Sequence, residues 1–319
     1  MFALQGRVAP RSLLGARLLV AGLLFSVGAS AQQAPQVCDR ACLTGTIDSY
    51  FTALKTHNAQ ALPQAAKARI TENGSEKKLA DTLWSGAQDV AYRFDIMNTR
   101  RGDTATEAVV RNADGSKTMF MLRMRVQAGA ITEIETIKAN KGEADRLWDP
   151  DRLTSVSPNL TLSIREPSRD SYYDLMGAAE SYWRAFQTNG TPNYHRARIL
   201  PNTLRFENGV QTTGTVRDGK LNDTARGFDE GSFIGRNIWD RRYPVVDEER
   251  GIVLSIVRFG LKAGAKSQSV ATSNDRLVGE FFAVQNGQIS EIHAVLFNLP
   301  DAKATGWPAW YGPERGSAE

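Results

Sequence analysis

The amino-acid sequence predicts an α+β fold in which one structural unit occurs twice along the chain. Each unit begins with an amphipathic helix that carries an aromatic pair, and each ends in a series of short strands. Helices that precede a run of antiparallel strands are typical of a sheet packed against helices on one face. We therefore expect two α+β domains in the 319-residue chain.

The first 31 residues have the features of a secretory signal peptide. Three arginines precede and enter an apolar run at 18–27, and Ala29-Ser30-Ala31 supplies a small-residue cleavage pattern. The run is well short of the roughly 20 residues that a membrane-spanning helix needs. We expect residues 1–31 to be removed, and the mature protein to be secreted or periplasmic without a membrane span.

Charge and cysteine content narrow the possible partners. Most of the net charge of +4 comes from the leader, so the mature chain is nearly neutral and has no electrostatic footprint for nucleic acid. Cys38 and Cys42 are the only cysteines. In an oxidising compartment we expect them to form a disulfide, because a helical spacing of four brings the two Cα atoms within range. Neither the cysteines nor the three histidines have the spacing of a metal site.

The two units share a helical opening. Residues 45–53, Gly-Thr-Ile-Asp-Ser-Tyr-Phe-Thr-Ala, correspond to 177–185, Gly-Ala-Ala-Glu-Ser-Tyr-Trp-Arg-Ala. From Ile47 onwards, apolar residues of the first unit recur at the i, i+3, i+4 and i+7 spacing of one helix face.

Two hairpin turns also recur in the same order. Glu72-Asn73-Gly74 corresponds to Glu207-Asn208-Gly209, and Asn-Gly favours a tight two-residue turn. Residues 126–134 match residues 284–292, where a glycine separates two strand-like runs. The spacing between matched segments grows along the chain, so the second unit carries insertions, mainly between residues 210 and 250.

These matches divide the mature chain into a first domain at 38–140, a linker at 141–172, a second domain at 173–300 and an aromatic tail at 301–319. The proline-punctuated linker either extends freely or lies as a strap over a surface. The predicted strands are 90–98, 105–112, 117–127 and 131–139 in the first domain, and 238–246, 252–260, 277–285 and 289–298 in the second.

Four stretches, together with the aromatic helix and the closing hairpin, carry a resemblance to a known family. The stretches are Cys38–Leu43, Ile70–Gly74, Arg241–Gly251 and Gly306-Trp307. They resemble a secreted family built from two SnoaL-like domains, which belong to the cone-shaped superfamily named after nuclear transport factor 2. That family is known only as a domain of unknown function, and the resemblance covers nearly the whole mature chain.

The resemblance implies two cone-shaped SnoaL-like domains, each with N-terminal helices packed on a curved antiparallel sheet. It also implies a conical pocket between sheet and helices. Some members of the superfamily use this pocket for cofactor-independent dehydration, isomerisation, aldol cyclisation or epoxide opening, whereas others only bind ligands or partners. Catalytic residues differ between branches of the superfamily, so no catalytic motif carries over residue by residue.

Comparison of the two units draws attention to their closing hairpins. In the first unit Arg123 and Arg125 share a strand face and oppose Glu133 and Glu135 on the neighbouring strand. Alternating charges on adjacent strands predict a solvated face with weak cross-strand ion pairs.

The same face of the second unit has Phe281 and Ala283 opposite Glu291 and His293. A face that loses its arginines and gains an imidazole is predicted to be covered, either as a pocket wall or as a contact between the domains. His293 is the candidate general acid or base, since imidazole titrates near neutral pH. The alternative is a buried histidine with satisfied hydrogen bonds.

A second concentration of functional groups lies at 239–246. Strand alternation places Asp240 and Arg242 on one face, with Trp239, Arg241 and Tyr243 on the other. Asp240 is a second catalytic candidate, and Arg242 a substrate-binding candidate because its guanidinium presents a fork of donors. The alternative is an ion pair at the sheet edge.

The remaining substrate-binding candidates are the aromatic residues Tyr182, Trp183, Phe281 and Trp307. Tyr182 and Trp183 either form a substrate platform or pack in the core. Trp307 belongs to the aromatic tail, which either caps a cavity or seals the seam between the domains.

Two functions remain open at the sequence level. The first is a cofactor-independent lyase or isomerase, with a hydrolase less favoured, that transfers protons on a small organic molecule in the second domain. The second is a non-catalytic secreted module that binds a small ligand, a glycan or a protein partner. Neither function requires a metal or cofactor, and the sequence specifies no oligomeric state.

Overall fold

The computed structural model of the protein describes residues 38–143, 147–217, 219–262, 264–265, 275–299 and 305–308. The predicted signal peptide at 1–31 and most of the predicted aromatic tail lie outside these residues. The described chain has an α+β fold with two domains, each containing a six-stranded sheet and few helices. None of the helices in the described ranges is both long and apolar enough to cross a membrane.

The N-terminal domain begins with a helix and continues as a sheet. Its elements are α1 (Arg40–Lys55), β1 (Gln64–Glu72), β2 (Ser75–Glu76), β3 (Ala87–Asn98), β4 (Asp103–Asn112), β5 (Lys117–Gln127) and β6 (Ala130–Asn140). The strand order is β2-β1-β6-β5-β4-β3. Strand β1 runs parallel to β6, and the other neighbours are antiparallel.

The second sheet has the same strand order as the first. The elements of this part of the chain are α2 (Pro158–Thr161), α3 (Tyr172–Thr188), β7 (Ile199–Glu207), β8 (Val210–Thr213), β9 (Thr215–Arg217), β10 (Lys220–Asn222), α4 (Thr224–Asp229), β11 (Arg236–Asp247), β12 (Ile252–Leu261), β13 (Arg276–Gln285) and β14 (Gln288–Asn298). The order is β11-β12-β13-β14-β7-β8, with β7 parallel to β14. The eight predicted strands agree with the observed ones to within a few residues at each end.

The Asn-Gly hairpin turns form as predicted. Asn73 and Gly74 join β1 to β2 with φ angles of 49° and 76°, and Asn208 and Gly209 join β7 to β8 with φ angles of 47° and 83°. A two-residue type I′ turn requires such left-handed conformations, which asparagine and glycine adopt at little cost. The turns therefore fix the register of each short hairpin.

The predicted disulfide between Cys38 and Cys42 is confirmed, and it lies at the start of α1. Asp39 is the N-cap of this helix, and its side chain accepts a hydrogen bond from the backbone N–H of Cys42. The bond and the cap together fix the first turn of α1. The buried side of α1, which includes Tyr50 and Phe51, then packs on the first sheet.

Both sheets are buried on both faces. The inner face of each sheet, defined here as the face toward its own helices, packs against α1 in the first domain and α3 in the second. The outer faces of the two sheets pack against each other in a shared core. The rings of Phe94 and Phe281 meet there edge to face, with centroids 6.0 Å apart. The domains therefore form four layers: helix, sheet, sheet, helix.

One expectation is wrong: the charged face of β5 and β6 is not solvated, because it meets the second domain. Arg123 is 3% exposed and Glu135 is 2% exposed. Arg123 Nε donates to Glu135 Oε2 over 2.9 Å, and Arg242 of the second domain donates to both oxygens of the same carboxylate, over 2.9 and 2.5 Å. The charges are thus paired across the interface between the sheets.

Residues 147–171, most of the predicted linker, form a strap over the two domains. Leu153 and Leu160 insert into the shared core between the sheets. Ser157 and Asn159 donate to Glu291 Oε2 over 2.8 and 2.9 Å. Of the two interpretations of the linker, the structure thus supports the strap, because apolar and polar side chains both hold it down.

Candidate functional site

His293 lies in the interface between the outer faces of the two sheets. Its Nδ1 is 2.9 Å from Glu107 Oε2 of the first domain, and its Nε2 is 2.9 Å from Glu291 Oε1. Burial by itself lowers the pKa of His293, but the two carboxylates outweigh burial and raise the pKa to about 9. The imidazole is therefore a buried cation at neutral pH, with both nitrogens engaged. The covered face that the sequence predicts is a contact between the domains.

Asp240 and Arg242 do not form the predicted pair. Asp240 has a φ of 52° and lies at an irregularity where the register of β11 on β12 shifts. In the described parts of the chain no hydrogen bond or ion pair involves its carboxylate. Arg242 instead binds Glu135 in the first domain and is 5% exposed. Arg242 thus joins the two sheets.

The irregularity at Asp240 also changes which neighbours share a face. Arg241 Nη1 and Tyr243 Oη each lie 2.5 Å from the carboxylate of Glu180 on α3, so these two residues share the inner side as predicted. Trp239 is paired with Arg258, whose guanidinium lies 4.6 Å from the indole centroid on the outer side. The prediction that Trp239 shares a face with them is wrong, because the extra residue breaks strand alternation.

Tyr182 and Trp183 lie in the core between α3 and the inner face of the second sheet, and both are 2% exposed. Their rings contact Phe282 with centroid separations of 5.1 and 5.7 Å. Trp183 Nε1 donates to Ser255 Oγ over 2.8 Å. Phe281, the neighbour of Phe282, points the other way into the core between the sheets. Thus Tyr182 and Trp183 line the inner face, whereas Phe281 lies in the domain interface.

Trp307 binds the first domain. The guanidinium groups of Arg69 and Arg123 lie 4.2 and 4.6 Å from the centroid of its indole ring. Its Nε1 donates to Thr71 Oγ1 over 2.9 Å. Because Trp307 follows the second domain in sequence, its contacts join the tail to the first domain.

The inner face of the second sheet carries a row of polar residues that the sequence analysis did not select. Cross-strand pairing aligns Ser255 with Glu280, Glu280 with Ala294, and Ala294 with Glu207. Ala294 lies between the two glutamates in this row. This row, together with Tyr182 and Arg205, is called the inner-face cluster below.

Glu280 is the chemically unusual member of the inner-face cluster. It is 3% exposed and shares its strand face with Val278 and Phe282 of the apolar core. No donor among the described residues hydrogen-bonds its carboxyl group. Burial and then the negative charge of Glu207 raise the pKa of Glu280 well above its ordinary value, and Arg205 offsets only part of that shift. Glu280 is therefore poised to carry a proton at neutral pH.

Tyr182, Arg205 and Glu207 complete the cluster. Arg205 Nη1 donates to Tyr182 Oη over 3.2 Å, and Arg205 Nη2 lies 3.3 Å from Glu207 Oε2. The phenol accepts a hydrogen bond in this geometry, so its own proton is available to another acceptor. The side chains of Arg205 and Glu207 are 12% and 18% exposed. Solvent therefore reaches the inner-face cluster from the side of these two residues.

The corresponding row of the first sheet is different. There Thr106 pairs with Leu122, Leu122 with Thr136, and Thr136 with Glu72. Where the second domain has Glu280, the first has the apolar Leu122. The carboxylate of Glu72 is held by Lys77 Nζ at 2.7 Å and by the backbone N–H of Leu83 at 2.6 Å.

The two domains also differ above the row. In the first domain Trp84 Nε1 donates to Tyr50 Oη over 2.9 Å, so a tryptophan occupies the space over the tyrosine. In the second domain Phe228 packs edge to face against Tyr182, with centroids 5.9 Å apart, and the hydroxyl is bound by Arg205 instead. Among the described residues of the two sheets, the second inner face alone thus combines a buried carboxyl without a hydrogen-bond partner with a guanidinium and a phenol.

The sequence contains a signal for Glu280. In the alternating strand Val278, Glu280, Phe282 and Val284 occupy one face, and a single acid among three apolar residues is costly unless it has a use. When the closing hairpins of the two units are aligned, Glu280 of the second unit corresponds to Leu122 of the first. The two copies therefore differ at this position in sequence.

The inner-face cluster has the components of acid–base chemistry. Glu280 can donate a proton, and Glu207 offers a carboxylate two strands away on the same row. Arg205 and the hydroxyl of Tyr182 are donors that can stabilise a developing oxyanion. The aromatic rings around them suit an organic substrate with an apolar body.

Comparison with known proteins gives a family of undefined activity. No curated protein matches the chain. A domain of the family described as "Domain of unknown function (DUF8021)" is found at residues 168–296, a range that includes α3, β7 to β14 up to Leu296, and every member of the inner-face cluster.

Proposed function

We propose that the second domain is a SnoaL-like cone whose inner-face cluster catalyses cofactor-independent proton transfer on a small carbonyl compound. The observation that carries the proposal is Glu280: a buried carboxyl with a raised pKa that no donor in the described parts of the chain hydrogen-bonds, on the same face as Tyr182 and Arg205. Perturbed acids of this kind concentrate at functional sites. The cone architecture is supported by the helices on the inner face of a sheet whose strand order occurs in both domains.

The cluster best suits a lyase that removes water from a β-hydroxy carbonyl compound. The substrate carbonyl accepts hydrogen bonds from Tyr182 and Arg205, which acidify the neighbouring C–H. Glu207 takes that proton, the C–O bond to the β-hydroxyl breaks, and Glu280 gives its proton to the leaving oxygen, so that water and a conjugated carbonyl compound are formed. Proton exchange with solvent on the exposed side of Glu207 restores both groups. An isomerase uses the same groups when the proton returns to another carbon.

The test uses the mature protein and the probe 4-hydroxy-4-phenylbutan-2-one, an aryl β-hydroxy ketone whose dehydration is followed by the absorbance of the conjugated product. We expect turnover that falls about 100-fold or more in Glu280→Gln, the size of a general-acid contribution. The matched control is Glu76→Gln, which removes an exposed glutamate and leaves the rate unchanged. Infrared difference spectra of wild type against Glu280→Gln report whether residue 280 is a protonated carboxyl at pH 7.

The result that contradicts the proposal is an ionised Glu280 together with no turnover of the ketone above background. A probe that is too large or too small does not alter the infrared result, so the two measurements separate a wrong probe from a wrong residue.

The alternative is a non-catalytic module that holds a small ligand. One observation favours it over catalysis: aromatic rings cover the inner face, with Tyr182, Trp183, Phe228 and Phe282 among the largest fully buried side chains, so its surroundings are mainly apolar. A binding module retains ligand-induced thermal stabilisation in Glu280→Gln and shows no turnover. An enzyme loses turnover in that variant and keeps binding.

We also propose export of the protein to the periplasm or the cell exterior. The proposal is supported by the basic, apolar and small-residue leader and by the Cys38–Cys42 disulfide, a bond that persists in oxidising compartments. Fractionation of the producing cell, with mass spectrometry of the mature N-terminus, tests it. A mature chain that begins at Gln32 and is found outside the cytoplasm is the expected result.

A further inference from the structure

A cavity lies on the first domain, and none of the residues that line it belongs to the inner-face cluster. Its volume is about 990 Å³, and it is called the polar groove below. Its walls are the turn between β4 and β5, the end of β6, the segment at 81–86 and the strap at 148–151. The groove is therefore formed jointly by the first sheet and the strap.

The charges in the polar groove are of both signs and nearly balance. Four lysines and five acidic residues line it. Lys77 Nζ lies 2.7 Å from Glu72 Oε1 on the floor, and Lys117 pairs with Asp151 on the strap. Four lysines against five acids leave one net negative charge, so the lining gives no strong field that selects an anion or a cation. The ligand that fits such a lining is polar and neutral.

The neutral polar groups of the groove are held in fixed positions. Asn112 Nδ2 donates to Ser116 Oγ over 3.0 Å and to Thr118 Oγ1 over 2.9 Å, and Thr118 Oγ1 donates to Asn140 Oδ1 over 2.7 Å. Asp114 fixes Ser116 through its backbone N–H and its hydroxyl, at 2.9 and 2.6 Å. These bonds hold both asparagine side chains in fixed orientations. The side-chain oxygen Oδ1 of Asn112 is then available as an acceptor, and the side-chain Nδ2 of Asn140 as a donor. Groups held in advance lose less entropy when a ligand binds.

An indole completes the groove. Trp148 of the strap lines it and is partly exposed, while the rest of its ring packs against the core between the sheets. A sugar ring presents hydroxyls that both donate and accept hydrogen bonds, and a face of C–H groups that packs on an aromatic ring. The lining therefore offers both kinds of contact that a sugar makes.

We propose that the polar groove binds a neutral oligosaccharide. A volume of about 990 Å³ lies at the upper end of the range for ligand sites, so it accommodates several sugar rings rather than one. The proposal does not depend on the function proposed for the second domain, because the groove shares no residue with the inner-face cluster.

The experiment is isothermal titration of the mature protein with maltotetraose, cellotetraose and tetra-N-acetylchitotetraose. Tetragalacturonate and spermine serve as the anionic and cationic comparators. We expect at least one neutral tetrasaccharide to bind, and to bind at least tenfold more tightly than either charged probe at physiological salt.

Two variants locate the binding site. Ser85→Trp places a large side chain in the groove from an exposed position, and Ser168→Trp is its control at an exposed position on the far part of the strap. Trp148→Ala removes the indole, with Tyr173→Ala as the control, since Tyr173 is 63% exposed and lies outside the groove. We expect both groove variants to weaken binding tenfold or more and both controls to leave it unchanged. Circular dichroism and melting temperature verify that each variant is folded.

The proposal is overturned if none of the three neutral probes binds, or if only a charged probe binds. It is also overturned if a neutral probe binds but Ser85→Trp, in its folded form, leaves the affinity unchanged. Because Ser85 is exposed, Ser85→Trp decides the question even if removal of the Trp148 indole destabilises the strap.

Discussion

His293 Nδ1 lies 2.9 Å from Glu107 Oε2, a contact between residues 186 positions apart that joins the two sheets. The second ring nitrogen is bound by Glu291, and the ring is 3% exposed. A histidine with both nitrogens on carboxylates has no free lone pair for a substrate. The geometry thus makes His293 a charged link between the domains, whereas Glu280 is the acid on the inner face of the second sheet.

The stability contributed by His293 depends on pH. Its pKa in the folded protein, about 9, exceeds the ordinary value of 6.5, so its contribution is fully present below about pH 6.5 and is lost as pH rises through 9. We expect His293→Gln to lose about 3 kcal/mol of unfolding free energy at pH 6. The difference from wild type should be small above pH 9. Urea unfolding of both proteins across this pH range measures it.

The matched control is His57→Asn, because His57 is exposed at the end of α1 and asparagine tolerates its φ of 53°. This variant should follow the wild-type pH dependence. A loss in His293→Gln that is the same at pH 6 and at pH 10 would show that the imidazole contributes by packing rather than by charge.

Glu135 forms the second charged contact between the sheets, and removal of its partner Arg242 should lower the free energy of unfolding. Burial raises the pKa of Glu135, but Arg242 and Arg123 outweigh burial, so the pKa falls below its ordinary value. Arg242→Met removes one of these cations from a carboxylate that is 2% exposed, and we expect a loss of about 3–5 kcal/mol. Chemical denaturation at pH 7 provides the measurement.

Two comparisons refine that prediction. A lowered pKa means that the stabilisation is present at neutral pH and is lost as pH falls, so the difference between wild type and Arg242→Met should shrink in acid. Arg111→Met is the control, since its pair with Asp89 is more than half exposed and should be worth about 1 kcal/mol or less. Equal losses in the two variants would contradict the interface role of Arg242.

Local chemistry made much of the fold predictable. Asn73-Gly74 and Asn208-Gly209 specify their turns because few residues adopt left-handed conformations cheaply, and no distant contact is needed to form them. The same holds for Asp39 and the Cys38–Cys42 pair at the start of α1, where cap and disulfide lie within one turn.

Long-range packing was less predictable. The alternation of Arg123 with Arg125 describes equally well a solvated face and a face paired with another sheet, because the sequence does not show which surface meets it. Arg242, whose ion pair shows that this face meets the other sheet, is more than 100 residues away from Glu135 in sequence. At Asp240 the face assignment failed for a different reason, since the irregularity at this positive-φ residue puts Trp239 on the face opposite to Arg241 and Tyr243.

The sequence comparison directed attention to the second domain but not to the residues of the inner-face cluster. The second domain was favoured because its closing hairpin differs from that of the first, and the same comparison extended by one residue contrasts Glu280 with Leu122. Arg205 could not be placed beside Tyr182 from sequence, because β7 pairs in parallel with β14, and six strands and one helix lie between them in the described chain.

The disulfide should stabilise locally. The loop that Cys38 and Cys42 close is very short, so the chain-entropy estimate for its contribution is only about 2 kcal/mol. We expect the double variant Cys38→Ser/Cys42→Ser to remain folded with a slightly lower melting temperature. Hydrogen exchange should accelerate in the first turn of α1 and stay unchanged in β5 and β13. Cooperative unfolding of the whole chain on reduction would contradict this local role.

Replacement of Glu280 by the residue of the first domain separates function from stability. Glu280→Leu removes a buried carboxyl from an apolar face, and we expect it to raise the unfolding free energy at pH 7 by about 1–3 kcal/mol while abolishing the proposed activity. An acid with a raised pKa costs stability as pH rises above its ordinary value, so the gain should be smallest near pH 4 and should grow toward neutrality. Leu122→Ile, a change of shape without charge at the matching position, is the control and should show no such pH dependence. A Glu280→Leu variant that is less stable than wild type at pH 7 would mean that the carboxyl is bound by a partner in the folded protein, and that the inner-face cluster is structural.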